Sequence, residues 1–149
     1  MITTCSMVAM GVAILISGWF SDKIGRKPLL LLGTLGFVFF AYPLFRALEG
    51  SFMTALFAHM ALAAIMGTFF APLPATLVEL FPLTVRYSGL SISHSLSMAI
   101  FGGSAPLIAT VLIQITGNNG APALYLSGMC FISTLFLLFL KDRYKSELV

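Results

Sequence analysis

Charge is what this 149-residue sequence has least of: eight Lys or Arg and five Asp or Glu, 9% of the chain, against about 25% in soluble globular domains. With a mean hydropathy of +1.03, that scarcity excludes a water-soluble globule. Cysteine is nearly absent. Cys5 and Cys130 both fall inside apolar stretches, with no CxxC or other ligand-like spacing, so neither a disulfide framework nor a zinc site is indicated and both read as packing residues. No Asp or Glu lies in the middle of an apolar stretch, and His59 and His94 are the only histidines. The net charge of +3 would suit nucleic acid only if the cations formed a stripe among exposed aromatics, and they bunch at a few turns instead. No cofactor and no metal is expected.

What the sequence does have is uninterrupted apolar length. Between the charged clusters lie five runs, 2–20, 29–48, 52–77, 89–115 and 122–140, each near the length that crosses about 30 Å of hydrocarbon. No water is present there to satisfy backbone groups, so each run must be a helix, or a broken helix sheltered by neighbours. The short alternating strands of a β-barrel are not seen. The expected fold is an all-α membrane bundle of about five transmembrane helices over residues 1–140, followed by a tail over 141–149.

Seven of the eight cations fall on one side of that bundle: Lys23, Arg26 and Lys27, then Arg86, then Lys141, Arg143 and Lys145, with Arg46 alone opposite. The positive-inside rule makes the cation-rich side cytoplasmic, placing the carboxyl tail inside and the amino end outside. A cleaved signal peptide is not expected, because the basic cluster follows the first apolar run rather than preceding it. An odd number of spans, the first starting at Met1, leads to the expectation that an upstream part is absent.

Two motifs sit at the cytoplasmic helix ends. The first is Gly18-Trp19-Phe20-Ser21-Asp22-Lys23-Ile24-Gly25-Arg26-Lys27, expected as a short loop between two spans. Asp22 lies where its own helix ends, at the negative pole of the macrodipole, where a carboxylate is disfavoured by several tenths of a kcal/mol. It needs a partner: Lys23, Arg26 or the amino end of a neighbouring helix. Gly18 would permit close helix approach and Gly25 a sharp reversal. The second motif runs from Pro72 to Gly89. Glu79 again lies at the carboxyl end of a span, Pro82 stops the helix, and Arg86 follows seven residues on.

The first motif resembles the G-x-x-x-D-[R/K]-x-G-R-[R/K] signature of the major facilitator superfamily, and every specified position is matched. The Glu79 to Gly89 stretch looks like the loop between helices 10 and 11 of that superfamily. More narrowly, Pro72-Leu73-Pro74, Glu79-Leu80-Phe81-Pro82, Val85 to Gly89 and Phe101 to Pro106 resemble the metabolite:proton symporter family, whose members carry proline and betaine, citrate, α-ketoglutarate and shikimate. Ser95 and Ala71 depart from that pattern, where Asn and Gly are frequent. The resemblance covers nearly the whole chain, as helices 8 to 12 of a twelve-helix fold. It implies proton-coupled symport of an organic acid or zwitterionic osmolyte across a bacterial inner membrane, by alternating access, with the missing amino-terminal half as partner. It also implies that Asp22, Arg26, Glu79 and Arg86 pair when the carrier opens outward and separate when it opens inward.

Helix-breaking residues are a third clue. Pro72 and Pro74 in the third span, and Gly102, Gly103 and Pro106 in the fourth, remove or loosen backbone hydrogen bonds and read as hinges. Gly89, Ser93 and Ser97 form a small-residue row suited to close helix contact. His59 and His94 each read either as a hydrogen-bonded structural histidine or as a contact for protons or solute. They lie too far apart in depth to touch. Thr68 and Ser104 are further candidate contacts. An intramembrane enzyme would need Ser104 and a histidine at matched depth, which the spacing denies. A small oligomeric channel or scaffold is the alternative class, and solute uptake by the 149 residues alone would favour it.

Overall fold

The structure, a computed structural model, describes residues 1–139. The expected tail at 141–149 and the last residue of the fifth expected span lie outside the described residues. Helix α1 spans Ile2–Ile24, α2 Arg26–Ala47, α3 Phe52–Phe70, α4 Leu73–Leu80, α5 Arg86–Ser97, α6 Gly103–Thr116 and α7 Ala121–Phe139. A π-helical turn, Met98–Gly102, joins α5 to α6 without a break. Helices α3 and α4 follow one another as a third span and α5 to α6 as a fourth, so the described residues hold five helical stretches long and apolar enough to cross a bilayer, as the hydropathy required.

The expected loop over the first motif is not a loop. Helix α1 runs four residues beyond 20, and α2 begins at Arg26, leaving Gly25 alone between them. Ser, Asp, Lys and Arg all tolerate helix, so an apolar run ending marks the edge of the hydrocarbon and not the end of the helix. Gly25 has φ 107° and ψ 166°, a backbone that a side chain would strain. Pro28 sits in the first turn of α2, where its missing N–H costs nothing.

Small residues form the contacts. Buried positions include Ser6, Ser17 and Ser21 on α1, Ala41 on α2, Ala58 on α3 and Ala121 on α7, while large apolar side chains such as Leu15, Phe39 and Phe136 are exposed. Lipid is as apolar as leucine, so helices associate through close backbone approach rather than by burying leucine. Gly67 shows how close: a Cβ there would lie 2.8 Å from the Met10 carbonyl oxygen and 3.0 Å from the Ala13 Cβ. Buried threonines bond along their own helices, Thr34 donating to the Leu30 carbonyl at 3.1 Å and Thr134 to that of Cys130 at 2.8 Å.

Helix α3 is the centre of the bundle, packed against both α1 and α2, and α2 in turn packs against α7. The fourth span stands apart. It touches α4 and α7 but not α1, α2 or α3, and no residue in its most apolar window is buried. Cys5, expected as a packing residue, is exposed, and Cys130 is half-buried. Among the described residues, a Cβ on Gly18 would meet nothing within 4 Å.

Candidate functional site

Helix ends converge on the first motif, and each cation of the motif has a different task. Arg26, the first residue of α2, pairs through Nη1 with Oε1 of Glu79, one residue before the end of α4. Both side chains are largely buried. A cation at a helix amino end and an anion at a carboxyl end are each disfavoured by their own helix by about 0.3–1 kcal/mol. Brought together, each corrects the other, and the Glu79 carboxylate also faces the amino end of α2.

Lys27, the next residue, donates from Nζ to the Leu138 carbonyl oxygen of α7 at 2.8 Å. A backbone carbonyl has two lone pairs, so it can accept from a lysine of another helix and tie the two helices together. Adjacent residues of α2 therefore hold two other helices, α4 and α7. The sequence offered no pointer to Lys27 as a tie to α7, because its partner is a backbone atom 111 residues away.

Lys23 acts locally: its Nζ lies 3.7 Å from the centre of the Trp19 ring, one helical turn back, a cation–π contact suited to a bilayer interface. Asp22 is exposed on the last turn of α1. Arg86 does not reach Glu79, which Arg26 already holds. Its Nε donates to the Phe81 carbonyl oxygen at 3.2 Å, capping the chain just past α4. Pro82 follows that point, and the break expected around it is present: α4 ends at Leu80 and α5 starts at Arg86.

The hinge residues divide. Pro72 is fully buried between α3 and α4, and Pro74 occupies the first turn of α4, where the helix is interrupted at residues 71–72. Thr76 closes the joint by donating to the Pro72 carbonyl at 2.8 Å. Gly102, Gly103 and Pro106 make no break. The fourth span stays helical, with one widened turn, Met98–Gly102, just upstream of Pro106. The small-residue row expected to seat a neighbouring helix is largely open: Ser93 and Ser97 are exposed, and Gly89 faces the Phe81 ring.

The four candidate solute or proton contacts are not brought together. His59 lines a cavity between α1, α2 and α3 at the end of the bundle away from the motif. Thr68, nine residues on along the same helix, donates to the Ala64 carbonyl at 3.0 Å. His94 is exposed on α5, and Ser104 on α6 donates to the Ile100 carbonyl. Among the described residues there is no group of three His, Cys, Asp or Glu side chains that could hold a metal ion.

Comparison with known proteins finds relatives over most of the chain. A candidate proline/betaine transporter of Staphylococcus aureus is 37% identical over 138 residues, 92% of this chain and 30% of the relative. The ectoine/proline transporter ProP of Corynebacterium glutamicum is 31% identical over 99% of the chain and 30% of its own length. The glycine betaine/proline/ectoine/pipecolic acid transporter OusA of Dickeya dadantii is 32% identical over 89% of the chain and 26% of its own. The chain thus spans about three tenths of the length of these curated relatives. No solved structure matches it significantly. The family model of the Major Facilitator Superfamily matches residues 1–148, and the chain belongs to that superfamily.

Proposed function

We propose that this chain is part of a membrane carrier for small zwitterionic osmolytes of the proline and betaine type, coupled to protons, with the Arg26–Glu79 pair as a latch that holds one conformation. The observation that carries the reading is the pair itself, which ties the amino end of α2, separated from α1 by Gly25 alone, to the carboxyl end of α4. The names of the relatives support the solute class. Alternating access needs two states of similar free energy. A contact that differs between them by about 1.4 kcal/mol changes their ratio about tenfold, which a half-screened ion pair can supply. Asp22 and Arg86 take part at the same end. The cation-rich end is the cytoplasmic one in this reading, in a bacterial inner membrane, and the remaining helices come from a partner half.

The test uses a chimera in which this chain replaces the matching part of the Corynebacterium glutamicum relative. Uptake of labelled proline is expected, and Arg26→Ala is expected to lower it about tenfold while cysteine probes at the motif end become more accessible. A chimera whose uptake and accessibility are both unchanged by Arg26→Ala would remove the latch. The 149 residues alone in proteoliposomes are expected to transport nothing.

A further inference from the structure

Asn118 and Asn119 are the only asparagines in the sequence, side by side and followed by Gly120. They lie in the turn that joins α6 to α7, far from the latch. Packing favours the glycine. A Cβ on Gly120 would lie 3.2 Å from Cε2 of Tyr42 and 3.7 Å from Cδ of Arg46, both near the end of α2, so a side chain there would crowd that helix.

That glycine carries a chemical hazard. With no side chain beside it, the Gly120 backbone nitrogen is poorly shielded and can attack the side-chain amide of the preceding asparagine. A bond forms between the Gly120 nitrogen and Cγ of Asn119, and the bond from Cγ to Nδ2 breaks. The departing nitrogen takes the proton of the Gly120 N–H and leaves as ammonia. Water then opens the cyclic imide to aspartate or isoaspartate. Asn119 is exposed, so water reaches it.

The turn restrains the attacking atom. Gly120 is buried, and its N–H donates to Oδ1 of Asn118 at 2.9 Å. Asn118 is fixed in its turn: its N–H donates to Oγ1 of Thr116 at 3.3 Å, and its carbonyl accepts from the Ala121 N–H at 3.1 Å. Attack needs a nitrogen that has shed its proton and approached Cγ of Asn119. An N–H that is buried and already hydrogen-bonded is held back from both until the turn opens.

We propose that Asn119 is a site of spontaneous deamidation whose rate is set by opening of the turn between α6 and α7, with Asn118 as the positioning residue that holds the Gly120 nitrogen back. Each event puts a permanent carboxylate just ahead of α7, and closing of the turn does not undo it.

The experiment incubates the full chain in mildly alkaline buffer, folded in bilayer nanodiscs and, in parallel, unfolded in urea and dodecyl sulfate. Peptide mass mapping follows deamidation at each asparagine. In the unfolded chain, conversion is expected at Asn119 well ahead of Asn118, and the folded chain is expected to lag by more than about tenfold. Asn118→Ala is expected to speed the folded reaction about tenfold, the effect of one hydrogen bond on the opening equilibrium. Asn118→Asp keeps an acceptor oxygen and should retain the lag, while both variants react at the parent rate once unfolded.

Equal rates in the folded and unfolded parent chain would overturn the restraint, and an unfolded chain that leaves Asn119 intact would overturn the site. Asn118→Asp reacting as fast as Asn118→Ala would remove the role of Asn118. The first two arms use the unmutated chain, so they decide the matter even if a variant fails to fold.

Discussion

The three-helix bundle around α3 and the fourth span are built from the same kinds of residue, yet one is packed and the other is not. Around α3, glycine and serine sit where backbones meet: Gly67 lies against α1, and a Cβ on Gly33 would come within 2.7 Å of the Phe69 Cβ. Along the fourth span, serines and glycines are more frequent still, but they meet little. A Cβ on Gly103 would find nothing within 4 Å, and Ser91, Ser93, Ser95 and Ser97 are all exposed. Small residues therefore license close packing without causing it. A helix needs a partner of matching shape before its small residues become an interface.

That contrast can be broken most directly at its two glycines. Gly67→Ala pushes a methyl into the Met10 carbonyl and is expected to cost about 1–3 kcal/mol, the usual range for overpacking. Gly103→Ala is expected to be neutral, or to stabilise by up to about 1 kcal/mol through helix propensity. Thermal unfolding in detergent reads both, and equal losses at the two sites would erase the distinction between packed and open regions.

The ion pair comes next in size. Arg26→Ala and Glu79→Ala are each expected to destabilise by about 1–3 kcal/mol, the range for hydrogen bonds to charged groups. The double variant should cost clearly less than their sum, the signature of direct coupling. A double-mutant cycle in the same unfolding assay checks this, and strict additivity would mean the pair holds nothing.

Hydroxyls give the smallest effects. Thr76→Val removes the bond that closes the α3–α4 joint and is expected to cost about 0.5–1.5 kcal/mol. Ser93 donates to the Gly89 carbonyl at 2.7 Å in the same i to i−4 manner, but on an exposed face, so Ser93→Ala should stay within about 0.5 kcal/mol. A larger effect at Ser93 than at Thr76 would show the fourth span to be the more tightly held.

Much of this was legible in the residues. Thirteen charges in 149 residues cannot be spread through five apolar runs, so the runs had to be spans, and the match at Asp22 to Lys27 placed a motif between the first two. Other features were not legible, for stateable reasons. Charge marks where hydrocarbon ends, whereas helix ends depend on caps and turns, so the single-residue reversal at Gly25 was taken for a loop. Arg26 had two acids to choose from, Asp22 nearby and Glu79 far along the chain, and only packing decides such a choice. The π-helical turn at Met98–Gly102 has no residue code, since glycine and proline fit a hinge equally well. His59 stood out as an ionisable group in an apolar run, but the cavity beside it is made by three helices together.

The reversal at Gly25 has a mechanical side. Helices α1 and α2 are joined through the torsions of one residue, so the joint has no slack, and they scarcely touch one another beyond it. Any swing of α1 must turn the start of α2 at once, and with it the two adjacent residues that grip α4 and α7. Displacement at one helix thus reaches two others through rigid leverage, where a longer connection would have absorbed it.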